Sequence, residues 1–225
     1  MKNYSILIPI HNEEKFIPDL LNSLTYFIER GHEIIVIDDG STDRSKEYLR
    51  NFGNINLVSI ITNKGKGYAL RAGLQRASYK RIIIFDGDME LHPSEIIKLM
   101  ILDKENGRLA AMGYRFRKLN LFRSRFDFGN FIFTTFFNIL FNTNHKDVLC
   151  CAKAFYIEDI RRFNTKSNSF DIDIELSAFL TLLCKNGISQ VSMKYKRRDF
   201  QEGKKLEVFD GWKILLRIIK FVKYF

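Results

Sequence analysis

Asp86 and Asp88 flank Gly87 directly after the apolar run Ile82-Ile83-Ile84-Phe85, which sets two carboxylates on a tight turn at the end of a strand. Hard oxygen ligands at that spacing suit Mg²⁺ or Mn²⁺, ions that take one or two protein carboxylates and complete their shell with water and substrate phosphates. Turns also use Asp freely, so an Asp-x-Asp standing alone is a weak signal and reads more often as a plain turn. In Asp38-Asp39-Gly40-Ser41, Asp39 projects at a strand end, where its carboxylate can accept hydrogen bonds from a base or ribose, while Asp38 reads as a helix start. Asn63-Lys64-Gly65-Lys66-Gly67 offers backbone N–H groups, two ammonium groups and a helix N-terminus, all attractive to phosphate. It lacks the Gly-Lys-Ser/Thr ending that positions a nucleoside triphosphate, and no Gly-x-Gly-x-x-Gly follows the first strand, so a dinucleotide-binding oxidoreductase loses its main support.

These loops need elements to hold them. Four short apolar runs, Ile6–Pro9, Ile34–Ile37, Leu57–Ile61 and Arg81–Phe85, are separated by segments with helical spacing of apolar residues. That alternation predicts a mainly parallel sheet covered on both faces. The first helix is expected from about Glu14 to Arg30, ending at Gly31; the second follows Ser41-Thr42-Asp43; the third spans about Tyr68 to Ala77. His11-Asn12-Glu13 and the three loops above then all fall at the carboxyl ends of strands, where ligands bind in such sheets. Their common placement favours a site over four unrelated turns.

The chain has 225 residues, enough for one substantial core, and a catalytic unit over 1–206 with an extension over 207–225 is the expected division. A formal charge of +10 favours anionic partners, with a solvated basic surface as the plain alternative. A nucleic-acid-binding module rests on that charge alone, because the basic residues are not interleaved with aromatics on a recognised binding fold, and no nucleic acid is expected as a partner. Cys150, Cys151 and Cys184 are too few and wrongly spaced for a disulfide framework or a four-ligand zinc site, which fits a reducing compartment. Met1-Lys2-Asn3-Tyr4 runs straight into a strand-like segment, so no export signal is expected. The uncharged stretch Phe128 to His145 carries Asn130, Asn138, Asn142 and Asn144 and falls short of the ~20 apolar residues a bilayer span needs.

Ile8-Pro9-Ile10-His11-Asn12-Glu13-Glu14, Ile37-Asp38-Asp39-Gly40-Ser41-Thr42-Asp43, Asn63 to Gly67 and Asp86-Gly87-Asp88 together resemble the successive signatures of family 2 glycosyltransferases of the GT-A fold. Asp147-Val-Leu-Cys-Cys-Ala-Lys153-Ala-Phe155 resembles a stretch of the polyprenyl-phosphate branch, which includes dolichyl-phosphate mannosyl- and glucosyltransferases, and so does the segment Tyr195 to Leu206 with Asp210-Gly211. The chain departs from the pattern at His11, where Tyr is common, at Cys151, where Gly is usual, and at Ala152, where Phe is usual. The resemblance implies an α/β GT-A-like domain whose Pro9, His11, Glu13, Ile37 and Asp39 hold the nucleoside, with Lys66, Asp86, Gly87 and Asp88 at the metal and diphosphate. Arg115, Arg198 and Lys204 would contact phosphates of donor or acceptor. It implies an inverting, Mg²⁺- or Mn²⁺-dependent transfer of a hexose from a GDP- or UDP-linked donor to a polyprenyl phosphate. The runner-up acceptor is a glycan or glycolipid hydroxyl, which needs a carboxylate base, with Asp147 or Asp173 as candidates.

Along Phe209 to Phe225, Lys213, Arg217, Lys220 and Lys223 fall on one helical stripe, with Trp212, Leu215, Leu216, Ile218, Ile219 and Val222 filling the rest. A basic stripe beside Trp and branched residues suits a helix lying in the lipid interface, and packing on the protein is the other reading. The segment Phe126–Phe141, preceded by Arg115, Arg117, Lys118, Arg123 and Arg125, reads as a lipid groove, core or a dimer contact. The expected location is cytoplasmic, peripheral on the inner face of a membrane, with a membrane-protein partner as an option.

Overall fold

The computed structural model describes residues 2–115, 125–161, 167–169, 171–198 and 210–221. Its strands are β1 (Ser5–Ile10), β2 (Glu33–Asp39), β3 (Asn56–Ile60), β4 (Arg81–Ile84), β5 (Ala110–Tyr114), β6 (Lys153–Tyr156) and β7 (Ile188–Ser192). They form one sheet in the order β3-β2-β1-β4-β6-β5-β7, parallel throughout except for β6, which runs against both neighbours. The helices are α1 (Ile17–Ile28), α2 (Ser45–Phe52), α3 (Lys66–Arg76), α4 (Arg125–Phe141), α5 (Ile157–Arg161), α6 (Ile172–Cys184) and α7 (Asp210–Phe221).

Strand alternation sorts the core into two layers. Leu7, Ile35, Ile37, Ile82 and Ile84 face one side, with side chains of α3, α4, α6 and α7. Ile6, Ile8, Val36, Ile83 and Phe85 face the other, with Leu20, Leu24 and Phe27 of α1. Each large apolar side chain fully removed from water contributes about 1.5–3 kcal/mol, so both faces are firmly covered. The expected α/β sheet and its first four strands stand within one or two residues of the structure, and the helix starts shift for local reasons. Helix α1 opens at Ile17 because the N–H groups of Phe16 and Ile17 both turn back to Glu13 O. Helix α2 waits until Ser45, since Asp43 accepts from the Ser45 N–H at 3.0 Å and from the Glu14 N–H at 3.1 Å. Strand order reverses between β1 and β4, the kind of switch point outside whose carboxyl edge ligands bind in open α/β sheets.

The C-terminal helix packs on α6 and α4. Ile218 and Phe221 are buried, and the Phe221 ring meets Phe179 edge-on at 5.0 Å. Arg217 corrects the expected lipid-facing basic stripe, because it turns inward to Asp171 at 2.7 Å and approaches Glu175 at 3.9 Å. The side chains of Trp212, Lys213 and Lys220, and residues Val222 and Lys223, lie outside the described set. Helix α4 divides its apolar residues: Phe137 and Phe141 join the core, whereas Phe128, Ile132 and Ile139 are exposed, as are Leu216 and Ile219 on α7. No helix among the described residues is long and apolar enough to cross a membrane.

Candidate active site

Each loop at the carboxyl edge is held by the next. The His11 ring Nδ1 lies 2.8 Å from the Asp39 carbonyl oxygen, tying the end of β1 to the end of β2. The Asn12 N–H donates to Ser41 Oγ at 3.0 Å, and the Thr42 N–H donates back to Asn12 Oδ1 at 2.8 Å. Asn12 adopts φ 53°, a left-handed conformation that Asn tolerates better than most residues. Pro9, half-buried, stands opposite Ile37 in the parallel register.

Two residues expected at the nucleoside have their side chains engaged within the fold. The Ile37 side chain is fully buried among Leu7, Ala69 and Leu70, so it presents no side-chain surface to a ligand; apolar packing outweighs its position near the strand end. Asp39 directs its two carboxylate oxygens at its own chain, accepting from the Lys64 N–H at 2.9 Å and the Gly65 N–H at 2.8 Å.

The loop Asn63 to Gly67 therefore differs from the phosphate cradle its glycines suggest. The Gly65 N–H also donates to Asn63 Oδ1 at 3.0 Å, and the Gly67 N–H donates to Asn168 O at 3.1 Å. A Cβ at Gly65 would stand 2.0 Å from Asn168 O, and one at Gly67 would stand 2.1 Å from Ser167 O. The glycines admit residues 167–168 against the loop, and Arg71 fastens that segment through Ser167 O and the Asn168 side chain.

What this loop gives the site is Lys66. Its ammonium lies 2.8 Å from Asp86 Oδ1 and 2.9 Å from Asp173 Oδ2. Burial alone would lower the Lys66 pKa, but Asp173 and Asp86 together hold it well above the usual lysine value. Gly87 leaves no room for a side chain, since a Cβ there would lie 2.5 Å from Ile10 Cγ2, and this contact seats the turn on the sheet. Beyond it Asp88 accepts from the Glu90 N–H at 3.0 Å. Burial, then the neighbouring charges of Asp86 and Glu90, push its carboxyl up to about 7. Asp86 and Asp88 are two carboxylates on one tight turn, and Mg²⁺ or Mn²⁺ takes one or two protein carboxylates and completes its shell with water and phosphate. Among the described residues no group of three or more His, Cys, Asp or Glu side chains is placed to hold a metal ion.

The expected phosphate-binding cations are likewise engaged with carboxylates. Arg115 grips Asp147 with Nε at 2.8 Å and Nη2 at 3.1 Å, a bidentate pair. Burial would raise the Asp147 carboxyl, but Arg115 and the Asn130 amide outweigh it and hold its pKa below the usual value. Arg198 donates to Glu13 Oε2 at 2.9 Å, with its guanidinium 4.2 Å from the centre of the Phe16 ring. Glu13 is buried and paired to Arg198 in the loop wall. Lys204 lies outside the described residues.

The structure gives two further groups their partners at the site. Of the acidic run at the start of α6, Asp171 takes Arg217 and Glu175 accepts from the Ser167 N–H at 2.8 Å, which leaves Asp173 as the carboxylate that faces Lys66. Lys153 is fully buried at the start of β6, donating to Cys150 O and lying 4.0 Å from Asp173 Oδ1. Its signal in the sequence is a lone lysine inside the apolar run Cys151 to Tyr156.

Comparison with known proteins accords with this geometry. A family model described as glycosyl transferase family 2 matches residues 5–170. The undecaprenyl-phosphate 4-deoxy-4-formamido-L-arabinose transferase of Proteus mirabilis is 32% identical over 127 residues, covering 53% of this chain and 39% of that enzyme, so the chain spans about two fifths of the length of that relative. An uncharacterized protein of Methanocaldococcus jannaschii is 29% identical over 228 residues, covering 95% of this chain and 90% of that protein. Glucosyl-3-phosphoglycerate synthase from Mycobacterium tuberculosis, in complex with Mn²⁺, UDP and glucosyl-3-phosphoglycerate, superposes with a TM-score of 0.75 at 17% identity, over 99% of this chain and 80% of that one, which shows a shared GT-A fold. With the family signature spanning β1 to the loop before α6, this chain belongs to glycosyltransferase family 2.

Proposed function

We propose that the chain is an inverting, metal-dependent hexosyltransferase that moves a sugar from a GDP- or UDP-linked donor to a polyprenyl phosphate at a membrane surface, on its cytoplasmic face. The observation that carries the reading is the Asp86-Gly87-Asp88 turn at the switch in strand order between β1 and β4, with the Asp88 carboxyl pushed up to about 7 by burial and by the charges of Asp86 and Glu90. The names of relatives that act on undecaprenyl phosphate, and of a structural neighbour that holds Mn²⁺ and UDP, support it.

Asp86 and Asp88 would hold the cation, which when bound supplies Lewis-acid neutralisation of charge growing on the departing diphosphate. Lys66 adds a positive charge beside that leaving group. Arg115 and Arg198 keep guanidinium groups anchored by Asp147 and Glu13, so their planes are set before an anionic substrate arrives. Lys204 is retained as a phosphate contact on the resemblance alone. Pro9, His11 and the backbone of the Asp39 turn line the nucleoside side.

A lipid phosphate, with a second pKa near ~6, arrives largely ionised and needs no strong base. A sugar hydroxyl needs one, and the two carboxylates considered for it are poorly suited. Asp147 is held ionised and hydrogen-bonded by Arg115 and Asn130, which weakens it as a proton acceptor, and Asp173 is paired with Lys66. The exposed residues Phe128, Ile132 and Ile139 of α4, beside Leu216 and Ile219 of α7, favour the lipid acceptor and the membrane surface.

Calorimetry of GDP and UDP with and without Mn²⁺ tests the donor side: binding should strengthen with Mn²⁺, and Asp88→Ala should abolish the metal-dependent part. Incubation with labelled sugar nucleotide and a short polyprenyl phosphate should give an organic-soluble product that mild acid cleaves. Label appearing only in polar glycan would replace the lipid acceptor with a glycan.

A further inference from the structure

Lys66 stands between two carboxylates that come from distant parts of the chain, Asp86 after β4 and Asp173 in the first turn of α6. The Lys66 and Asp173 side chains are 9% and 8% exposed, so the contact is shielded from water. Each carboxylate keeps a buried oxygen without a hydrogen bond: Asp173 Oδ1, and Asp86 Oδ1, which is near the ammonium but outside its hydrogen-bonding directions. Lys153 lies behind Asp173 at 4.0 Å, a second positive charge that limits how far Lys66 can retreat.

We propose that Lys66 is the resident counter-ion of Asp86, and that a divalent cation enters this turn by displacing the ammonium toward Asp173, so that metal binding is an exchange of cations. The inference rests on the reading of Asp86 and Asp88 as the metal-holding pair. An ammonium and a divalent ion on the same carboxylate would sit only ~4 Å apart, a strong repulsion in a partly buried site. The metal alone therefore meets a position already neutralised. An arriving diphosphate offers Lys66 a new anion and the metal new ligands, so nucleotide and metal each strengthen the other's binding, reciprocally by linkage.

The test measures Mn²⁺ binding in the absence of nucleotide, by the electron paramagnetic resonance signal of free Mn²⁺, for the wild type and Lys66→Met. Exchange predicts binding on the order of tenfold tighter in the variant, and a smaller further gain on adding GDP or UDP. Equal or weaker Mn²⁺ affinity in a folded Lys66→Met protein overturns it. A second variant guards against misfolding of the first: Lys66→Gln, which keeps a polar side chain without the charge, should also bind Mn²⁺ severalfold more tightly than the wild type. Equal or weaker affinity in a folded Lys66→Gln protein also overturns the exchange. If the wild type binds no Mn²⁺ even with a nucleoside diphosphate, the metal reading falls and takes the exchange with it; if Mn²⁺ binds without either Lys66 effect, the exchange alone falls.

Discussion

Arg198 Nη2 lies 2.9 Å from Glu13 Oε2, joining the strand-like segment after β7 to the loop after β1 across 185 positions of chain. Both side chains are almost wholly buried, at 10% and 5% exposure. Removing one partner of such a pair leaves an uncompensated charge, which costs about 3–5 kcal/mol. Arg198→Ala and Glu13→Ala should each lower stability toward that range in urea denaturation. The double variant should lose clearly less than the sum, and additive losses would show that the pair is not coupled.

The glycines of the Asn63 to Gly67 loop make a sharper prediction. Gly67→Ala sets a methyl 2.1 Å from the Ser167 carbonyl oxygen, where backbone must move. Overpacking of this kind costs about 1–3 kcal/mol. Faster amide hydrogen exchange confined to residues 167–169 and the start of α3 is the expected signature. A uniform change across the sheet would place the damage elsewhere.

His145 sets an acid limit. Burial, and then the charge of Lys153, lower its pKa to about 4. Between the ordinary histidine value of about 6.5 and 4, the unfolded chain binds more protons than the folded one, so stability falls as pH drops through that window. His145→Gln should flatten the dependence of melting temperature on pH between about 6.5 and 4 relative to the wild type. The absence of any difference in slope would rule out a buried neutral His145.

The exposed apolar side chains on α4 and α7 predict a surface effect without a fold effect. Ile139, 73% exposed, and Leu216, 56% exposed, can accept charge at little cost to stability, within about 0.5 kcal/mol. Ile139→Glu with Leu216→Glu should reduce co-sedimentation with anionic vesicles severalfold while leaving the melting temperature nearly unchanged. Unaltered vesicle binding would move the contact to another face.

The sheet was legible in the chain because β1, β2 and β4 are short, apolar and bounded by polar turns, and a strand buried on both faces reads that way. The Asp86-Gly87-Asp88 turn was legible for the same reason, since it follows Ile82 to Phe85 without an intervening residue. Less visible was what each polar group would face. Asp39 follows Asp38, and Asp173 stands two positions from both Asp171 and Glu175, yet one holds the backbone of a neighbouring loop and the other reaches Lys66, more than a hundred positions away. The glycines at 65 and 67 looked like ligand space and serve a chain crossing instead, a contact set by residues 167–168. Arg217 looked lipid-facing by period alone, and the pull of Asp171 and Glu175 reversed it.

That reversal gives the C-terminal helix a task beyond covering the core. Arg217 holds Asp171, Asp171 accepts from Ser167, and the Ser167 carbonyl rests over Gly67 at the head of α3, the helix whose first residue is Lys66. Three short contacts thus run from the C-terminal helix to the turn that carries the ammonium beside Asp86. Severing the chain ahead of residue 210 would take the Arg217 guanidinium from Asp171 and slacken the strap that pins down the head of α3.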